Sequence, residues 1–436
     1  MLFSCAILSA DPLYYPTTPV VENFGSIWCG ACELALQGLD VMEAELAEHE
    51  AIICRLLTES GEYSTPEILT RFNYYEVLGL PAVIFNGKVR VDGATDETVN
   101  GSEYLEAINQ FRYLASPLKM SVNSFDSSTG DFAVIIQMVN DSYTLAGDLL
   151  FYLVEDDIDD ELTHIVRSVE SQAISLSGAG NILNADISFA IDPSWNADNL
   201  WAVAFIQIPG NAILQAASTL SQPEYYVRAA VPFDHDLHSD DPGIFASPQF
   251  WIYNLGAADE VNISIETISA PESWSLNYCD ADGNCYPGAM PIPFSFASGE
   301  AKSFDLNLYA AGDGMAKLNF VVESPNSGTY KIPFSYTVGP VGNDDLVSST
   351  LGLSIGSGFP NPFKHSVSFE IQSNKADVNT ALEIFNIRGQ KVSAIPLLIH
   401  KEGISTINWD ASGLPDGLYF YRLKGTRQSG KIIKIR

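Results

Sequence analysis

The chain is poor in positive charge and in long apolar runs. It has 22 Lys and Arg residues against 54 Asp and Glu residues, which gives a formal net charge of −32 over 436 residues. Nucleic acids and anionic membrane surfaces attract basic proteins, so this balance argues against both as partners. No apolar run approaches the roughly 20 residues of a membrane-spanning helix. We therefore predict no membrane span.

Motifs for cofactors and metals are also missing. The sequence contains no glycine-rich loop of the kind that cradles phosphates. Its six histidines form no ligand cluster beyond His235 and His238. The acidic run from Glu155 to Glu161 lacks the glycine and the distal glutamate of an EF-hand loop, which favours a solvated connection between strands over a calcium site. We predict no cofactor and no metal site.

Cysteines are scarce, but four of the six form two close pairs. Cys279 and Cys285 bracket the residues Asp-Ala-Asp-Gly-Asn, a turn composition that brings two strands together, and we predict a structural disulfide between them. Cytosolic proteins rarely keep such pairs, so the pattern is consistent with export. Cys54 lies in an apolar run and is predicted to be a buried core residue.

The second pair, Cys29 and Cys32, points to redox chemistry. The segment Trp-Cys-Gly-Ala-Cys at 28–32 lies between an extended apolar run, Val20 to Phe24, and a helical pattern. A thiol at the first turn of a helix faces unpaired N–H groups and the positive end of the helix dipole, which favours its thiolate. Cys29 is therefore the predicted nucleophile, and Cys32 is predicted to resolve the mixed disulfide.

Two alternatives compete with this interpretation. A tetrahedral zinc site needs two further Cys or His ligands at matching spacing, and neither His49 nor Cys54 forms a pair of that kind. A redox-silent structural disulfide between Cys29 and Cys32 is the other alternative. It leads to a different functional class, a non-catalytic binding or structural protein at the cell surface.

Length, pattern and charge indicate several domains. Residues 17–116 alternate strand and helix in the order βαβαββα, with a hairpin signal at Asn86-Gly87. After residue 117 the pattern is typical of β-sandwiches. Residues 1–356 carry 11 Lys and Arg against 48 Asp and Glu, whereas residues 357–436 carry 11 against 6, so the net charge changes from −37 to +5. The change marks a separate C-terminal module.

Residues 17–116 resemble the thioredoxin fold. The resemblance rests on the strand before Trp28-Cys29-Gly30-Ala31-Cys32, the following helix, and Gly79-Leu80-Pro81 at the head of a hairpin strand. It implies a cis peptide before Pro81 and a substrate-binding surface that includes Trp28, Leu80 and Pro81. Two departures are an Ala in place of the usual Pro before the second cysteine, and Asn23 where the family often has a buried carboxylate. Because Asn cannot titrate, Glu22 or water would then have to move the proton, or turnover would be slow.

Residues 357–436 resemble the C-terminal sorting domain of the type IX secretion system. The resemblance rests on Phe-Pro-Asn-Pro-Phe at 359–363, Ile-Arg-Gly-Gln-Lys-Val at 387–392, Trp-Asp at 409–410 and Gly-Leu-Tyr-Phe-Tyr-Arg-Leu at 417–423. It implies a small immunoglobulin-like sandwich that directs folded cargo through the outer membrane. Read without the family, the segment is a basic β-sandwich that serves equally well as a binding module. Residues 117–222 resemble the β-sandwich that follows a thioredoxin-like domain in bacterial outer-membrane-associated proteins.

The expected fold class is thus a multidomain chain, an α/β thioredoxin-like domain followed by all-β immunoglobulin-like sandwiches. Residues Met1 to Ala10 are similar to the apolar region and cleavage site of a secretory signal. The predicted domains are a signal-peptide remnant (1–10), the thioredoxin-like domain (17–116), a β-sandwich (117–222), an immunoglobulin-like sandwich (223–340), a linker (341–356) and the sorting sandwich (357–436).

The predicted function is thiol–disulfide oxidoreduction on protein substrates. The protein would reach the periplasm and then the cell surface or the exterior, with protein thiols or disulfides and a type IX-like secretion machinery in the outer membrane as its partners. Whether it reduces, oxidises or isomerises depends on reduction potentials that the sequence does not give.

Overall fold

The structure, a computed structural model, describes most of the chain. The described residues are 12–59, 61–140, 143–158, 162–239, 241–339, 353–355, 360–361, 363–373, 378–386, 391–399, 401, 403–424 and 429–435. The predicted signal-peptide remnant and most of the predicted linker lie outside them. The chain forms two compact units, Met1–Val338 and Gly339–Arg436. The finer domain boundaries inside the first unit stay predictions.

The predicted fold class is wrong. Strands account for 55% of the chain and helices for 11%, and the described residues contain three α-helices. The strands expected to form a separate α/β thioredoxin-like domain share one sheet with strands of the following region. The physical reason is the pairing of Ile165 with Arg55. It joins the paired strands 144–155 and 165–177 to a strand that would otherwise form an open edge of the sheet.

The first 116 residues contribute six strands and the three helices. The strands are β1 (Tyr15–Pro16), β2 (Val20–Gly25), β3 (Ile52–Leu57), β4 (Ala82–Phe85), β5 (Val89–Asp92) and β6 (Ala115–Ser116). The helices are α1 (Gly30–Ala44), α2 (Pro66–Tyr74) and α3 (Ser102–Asn109). Thr65 caps α2, since its hydroxyl accepts a hydrogen bond from the Ile68 amide, and a proline begins the helix.

The next hundred residues are all β. Their strands are β7 (Leu118–Asp126), β8 (Asp131–Met138), β9 (Thr144–Glu155), β10 (Ile165–Ser177), β11 (Ile182–Ser188), β12 (Leu200–Gln207) and β13 (Ile213–Ser218). Four of them extend the sheet of the first segment to eight strands in the order β13-β12-β9-β10-β3-β2-β4-β5. The other three form a sheet of order β11-β8-β7, which packs on β9 and β12 through an apolar core around Phe132 and Phe151.

The eight-stranded sheet curls until its two edge hairpins meet. The Asn86 side chain donates to the Ile213 carbonyl (2.9 Å), and the Ile213 amide donates to the Asn86 carbonyl (3.2 Å). Gly87 has a φ of +70°, and a Cβ there would lie 1.8 Å from the Asn211 carbonyl oxygen, so only glycine fits this contact. One face of the sheet buries α2 through Ile68, and the other buries α1 and α3.

A second sandwich completes the first unit. Its strands are β14 (Val227–Ala230), β15 (Asp236–Ser239), β16 (Gly243–Ala246), β17 (Phe250–Asn254), β18 (Asp259–Ser269), β19 (Ser275–Asp280), β20 (Cys285–Pro287), β21 (Ile292–Phe296), β22 (Ala301–Ala310), β23 (Gly314–Ser324) and β24 (Gly328–Val338). One sheet has the order β14-β17-β22-β19-β20, with β16 also on β22, and the other has the order β15-β24-β23-β18-β21. Phe250, Phe304 and Phe320 lie at the centre of the core between them.

A buried arginine joins this sandwich to the first segment. The guanidinium of Arg228 donates to the carbonyl oxygens of Thr17 (2.9 Å), Glu50 (3.2 Å) and Arg112 (3.1 Å). Arg112 also forms a two-pronged ion pair with the Glu50 carboxylate. Burial alone would raise the pKa of Glu50, but the two guanidinium groups outweigh it and hold that pKa below its ordinary value. The second sandwich is therefore fixed on the first segment.

The second unit is a small sandwich of its own. Its strands are β25 (Leu353–Ile355), β26 (Ser366–Ser373), β27 (Val378–Asn386), β28 (Lys391–Ile399), β29 (Gly403–Asp410), β30 (Gly417–Leu423) and β31 (Ser429–Lys434). They form two sheets, β25-β26-β29 and β28-β27-β30-β31, around a core that contains Phe369, Trp409 and Tyr421. Across the described residues, the helices are too short or too polar to traverse a lipid bilayer.

Candidate redox site

Cys29 and Cys32 lie at the head of α1 and are joined in a disulfide. Cys29 is the N-cap of the helix, and its Sγ accepts a hydrogen bond from the Cys32 amide at 3.2 Å. Cys29 is half-buried, whereas Cys32 is only 7% exposed. Cys29, the residue nearer the helix start, is thus the more exposed of the two, which is the arrangement on which the predicted roles of attacking and resolving thiol depend. Those roles stay predictions.

The local charge at this helix end has two opposing contributions. The unpaired N–H groups of the first turn favour a thiolate on the N-cap sulfur. Glu33 lies in the same turn and is exposed, and its carboxylate disfavours a second negative charge. The acidity of Cys29 is set by the balance of the two.

The loop that ends at Pro81 lies at the same edge of the sheet as the disulfide. Ala82 pairs with Phe24 across β4 and β2, so the register brings Pro81 beside Gly25. A Cβ on Gly25 would lie 3.7 Å from Cys32 Sγ. The Leu80–Pro81 peptide is cis, and Pro81 is buried. Cys32 and Pro81 therefore both lie beside Gly25, where β2 ends and β4 begins.

The side chains of this loop, and Trp28 beside the disulfide, differ widely in exposure. Leu80 is only half-buried, but it packs against the apolar core on the α2 face of the sheet. Leu78 is 93% exposed and Trp28 is 80% exposed. The sequence analysis did not single out Leu78. The sequence does carry a signal for this exposed residue, because a large apolar residue stands directly before Gly-Leu-Pro, after the helical pattern has ended.

Asn23 and Glu22 point to opposite faces of β2. Asn23 is buried on the α1 face, and its Oδ1 has no hydrogen-bond partner among the described residues. Glu22 is fully buried on the α2 face, where its carboxylate forms an ion pair with Arg71 (Nε to Oε1, 2.7 Å). Alternation along a strand explains the separation. Glu22 therefore cannot replace a carboxylate beneath Cys32, so this possibility from the sequence analysis is excluded.

Glu22 instead organises a buried network that sequence reasoning missed. The hydroxyls of Tyr75 and Tyr152 each donate to its carboxylate at 2.6 Å, and Arg71 also donates to Gln207 Oε1 at 2.5 Å. Burial alone would lower the pKa of Arg71, but the Glu22 carboxylate outweighs it and holds that pKa well above its ordinary value. Burial, reinforced by Glu22, raises the pKa of Tyr75. The network links β2, α2, β9 and β12.

A histidine–aspartate pair lies where β10 meets β3. His164 Nδ1 is 3.0 Å from Asp156 Oδ1, and the His164 carbonyl accepts a hydrogen bond from the Arg55 amide. Burial alone would lower the pKa of His164, but the contact with Asp156 outweighs it, and the pKa lies above its ordinary value of 6.5. Burial alone would raise the pKa of Asp156, but its hydrogen bond with His164 outweighs that effect and lowers it.

Cys279 and Cys285 oppose each other on β19 and β20 and are joined in a disulfide. The turn between them is organised by Asp280, whose Oδ1 accepts from the amides of Asp282 (3.0 Å) and Asn284 (2.9 Å). Several hydrogen bonds to Asp280 lower its pKa although burial alone would raise it, so it carries a negative charge beside the sulfur pair.

The remaining candidates form no site. Within the described residues, no group of three His, Cys, Asp or Glu side chains is placed to hold a metal ion. Of the acidic run, Glu155 pairs with Arg167 and Asp156 with His164, while residues 159–161 lie outside the described part. His235 stacks on Phe334 in the second sandwich. Cys54 is buried, and burial raises the pKa of its thiol well above the ordinary value.

Comparison with known proteins finds one family. A family model described as "Secretion system C-terminal sorting domain" matches residues 357–435. No curated protein matches the chain at a significant level.

Solved structures show only weak likeness. Dimeric latent PorU from Porphyromonas gingivalis has 12% identity and a TM-score of 0.17 over 73% of this chain and 34% of that chain. This chain thus spans about a third of the PorU chain. The secreted serine protease VesC from Vibrio cholerae has 10% identity and a TM-score of 0.22 over 83% and 89% of the two chains. A tetra-tandem repeat of a large adhesion protein has 11% identity and a TM-score of 0.17, over 81% of each chain. Nothing is argued from likeness at this level.

The predicted sorting domain is therefore confirmed, and the resemblance of residues 17–116 to thioredoxin receives no support. A chain with this domain interacts with the type IX secretion machinery. The protein is accordingly exported and located at the cell surface or outside the cell.

Proposed function

We propose that this exported protein exchanges disulfides with other proteins through Cys29 and Cys32. One observation carries the proposal. Cys29 caps α1 and is half-buried, whereas its disulfide partner Cys32 is buried. This asymmetry is what a two-step exchange requires, since one sulfur must meet the substrate and the other must be shielded from it.

The disulfide form accepts two electrons from a substrate dithiol. A substrate thiolate attacks Cys29 Sγ, the bond between Cys29 and Cys32 breaks, and Cys32 leaves as a thiolate. The second substrate thiolate then attacks the substrate sulfur of the mixed disulfide and releases Cys29. The substrate is oxidised to a disulfide and the protein is reduced to a dithiol, which takes up the two protons that the substrate thiols release. The reverse sequence reduces a substrate disulfide.

The neighbouring loop offers a place for the substrate chain. Among the described residues, no turn or loop hydrogen bond uses the backbone of Leu78, Gly79 or Leu80. Pro81 follows at the position beside Gly25 and Cys32. An extended substrate segment along these free backbone groups would bring its sulfur to Cys29, which gives Trp28, Leu80 and Pro81 the substrate-binding role.

Asn23 favours a second candidate function. It is buried on the face of the sheet that carries Cys32, and an amide cannot take or give a proton at neutral pH. The proton of Cys32 must then pass to water directly. If that step is too slow for turnover, the disulfide is silent, and the protein acts as a non-catalytic binding or structural component of the cell surface.

Trapping of mixed disulfides distinguishes the two candidates. The full chain carrying Cys32→Ser should accumulate disulfide-linked partner proteins at the cell surface, because the resolving thiol is missing. The matched variant Cys29→Ser should accumulate none. Disulfide exchange by the wild type with a model protein supplies the second readout. If Cys32→Ser traps nothing and the wild type neither reduces nor refolds a disulfide protein, the redox proposal fails and the silent scaffold remains.

Delivery is tested separately. Deleting residues 357–436 removes the sorting domain and should leave the protein in the periplasm. The measurement is protease accessibility on intact cells, and the full-length chain is the control. Unchanged surface exposure of the shortened chain would contradict the role of this domain in delivery.

A further inference from the structure

Three large apolar side chains around the disulfide are exposed. Trp28 and Ile27 belong to the loop between β2 and α1, and Leu78 belongs to the loop before β4. Single exposed apolar residues are common on protein surfaces. These three are different because both loops leave the same edge of the sheet, where Phe24 pairs with Ala82. We call Ile27, Trp28 and Leu78 the apolar surface.

Carboxylates surround the same edge. Glu33 lies in the first turn of α1, Glu59 follows β3, and Glu76 lies in the loop before β4, and all three are exposed. The strand β3 is the parallel neighbour of β2, and the Thr58 amide donates to the Gly25 carbonyl, which brings the Glu59 segment to this edge. We call Glu33, Glu59 and Glu76 the acidic rim.

Two cations of the same eight-stranded sheet are already neutralised. Within the described residues, the Arg90 guanidinium forms an ion pair with Asp92 (2.7 Å), and Arg167 pairs with Glu155 (2.8 Å). The surrounding chain is acidic as well, with a net charge of −37 over residues 1–356. The edge that carries Cys29 thus presents apolar contact area inside a negative field.

We propose that the apolar surface and its acidic rim select extended polypeptide segments in which the reacting cysteine is flanked by a large apolar side chain and by Lys or Arg. This inference rests on the proposed redox function and names its substrate class. Apolar side chains of the segment cover Trp28 and Leu78, and its cations approach the three carboxylates. An exposed indole also attracts a Lys or Arg group directly. Acidic segments are repelled.

Peptides of matched length test the preference. Each carries one cysteine as a methyl disulfide and one leucine, flanked by either two lysines or two glutamates. The protein is used as the reduced full chain. Its dithiol reduces the peptide disulfide to a peptide thiol and methanethiol while Cys29 and Cys32 become a disulfide, so the electrons balance. Neutral 2-hydroxyethyl disulfide serves as an uncharged reference substrate.

We expect the lysine peptide to react at least about 10-fold faster than the glutamate peptide at low salt, which is the lower end of electrostatic steering. The difference should shrink in about 0.5 M salt, where the Debye length is a few ångströms. The triple variant Glu33→Gln/Glu59→Gln/Glu76→Gln should reduce the difference in rate between the two peptides to less than about 3-fold. The control Glu260→Gln/Glu272→Gln/Glu323→Gln removes the same charge from exposed positions of the second sandwich and should keep it.

A substitution within the apolar surface tests its contribution separately from that of the carboxylates. Leu78→Ser should slow both peptides by a similar factor, and it should slow them more than it slows the reaction with 2-hydroxyethyl disulfide. Equal rates for the two peptides, or a difference that salt does not alter, would overturn the substrate class while leaving the redox function intact. No reaction with any of the three disulfides would overturn both.

Discussion

The chain holds two disulfides in opposite surroundings. Cys29 caps a helix, and the Cys32 amide donates to its sulfur at 3.2 Å. Cys279 and Cys285 face each other across two antiparallel strands, around a turn that contains Asp280. Asn307 donates to Cys279 Sγ at 3.1 Å and to the carboxylate of Asp305 at 2.7 Å. One pair lies at the electropositive start of a helix, with Glu33 in the same turn, and the other lies beside the carboxylates of Asp280 and Asp305.

The charges around the two cysteine pairs distinguish a reactive pair from a structural one better than the number of residues between the cysteines does. A helix N-terminus stabilises a thiolate, whereas neighbouring carboxylates destabilise it. A thiolate is required for exchange, so under the proposed function we expect the first disulfide to exchange and the second to remain inert. This contrast can be tested at several levels, from the buried network in the sheet that carries the first disulfide to the sulfur atoms themselves.

The largest effect is expected from the buried Glu22 network, which lies on the other face of the sheet that carries the first disulfide. Arg71→Met leaves the Glu22 carboxylate buried without its ion-pair partner, which should lower the free energy of unfolding by about 3–5 kcal/mol. Urea denaturation of the full chain measures it. The control is Arg90→Met, which removes a partly exposed ion pair with Asp92 and should cost at most about 1 kcal/mol. Equal losses in both variants would show that the network contributes no more than a surface pair.

The second prediction concerns variants in which one cysteine of each disulfide is replaced by serine. Cys29→Ser removes the attacking atom and should lower the rate of insulin reduction by more than about 100-fold, to the uncatalysed level. Cys285→Ser should change the rate less than about 2-fold, because its pair takes no part in exchange. A comparable loss of activity in both variants would abolish the contrast between the two disulfides.

Sequence analysis predicted the local elements around the first disulfide and missed how they assemble. The apolar run at Val20, the N-cap position of Cys29 and the Asn86-Gly87 hairpin are short-range patterns, and the structure has a strand, a helix start and a turn at these places. The pairing of Ile165 with Arg55 joins strands separated by about a hundred residues. No local pattern encodes such a pairing, and it is this pairing that makes the predicted independent α/β domain wrong.

The buried network was missed for a related reason. A glutamate inside the apolar strand around Val21 is an unusual residue for a buried position. The sequence contains that signal, but its partners lie on α2, β9 and β12, up to residue 207. Only the folded arrangement reveals that Glu22 is paired and therefore structural. The same holds for Leu78, whose exposure depends on how its loop leaves the sheet.

The third prediction concerns the stability that the second disulfide supplies. Cys279→Ser/Cys285→Ser removes a crosslink that closes a short loop, and the chain-entropy relation gives about 2 kcal/mol for a loop of this length. Denaturation by urea should show this loss, with insulin reduction retained. A loss of activity without a loss of stability would reverse the assignment of the two disulfides.

The fourth prediction compares the thiols after reduction. At pH 7, Cys29 should react with iodoacetamide about 10-fold faster than Cys285, because the helix end favours its thiolate while the carboxylates around Cys285 do not. Mass spectrometry of peptides after timed quenching gives both rates in one sample. Glu33→Gln should increase the rate at Cys29 further, since it removes the opposing charge from the first turn. A slower Cys29 would contradict the proposed activation.

The smallest effect is expected at the joint between β10 and β3, which supports the sheet of the first disulfide. His164 is faced by Asp156 from its own segment, by Glu43 and Asp40 from α1, and by Arg55 from β3. Its pKa is raised on folding, so its contribution to stability is complete below its ordinary pKa of 6.5 and is lost as the pH rises through the folded value. The pKa of Asp156 is lowered from 3.8, so its contribution is present above that value and is lost only as the pH falls through the lower folded value. Between about pH 4 and 6.5 the two groups are therefore charged together.

A double-mutant cycle with His164→Gln and Asp156→Asn should give a coupling energy of about 1 kcal/mol at pH 5.5 that declines by pH 9. A coupling that grows with pH would contradict the charged pair and leave only its packing as a source of stability.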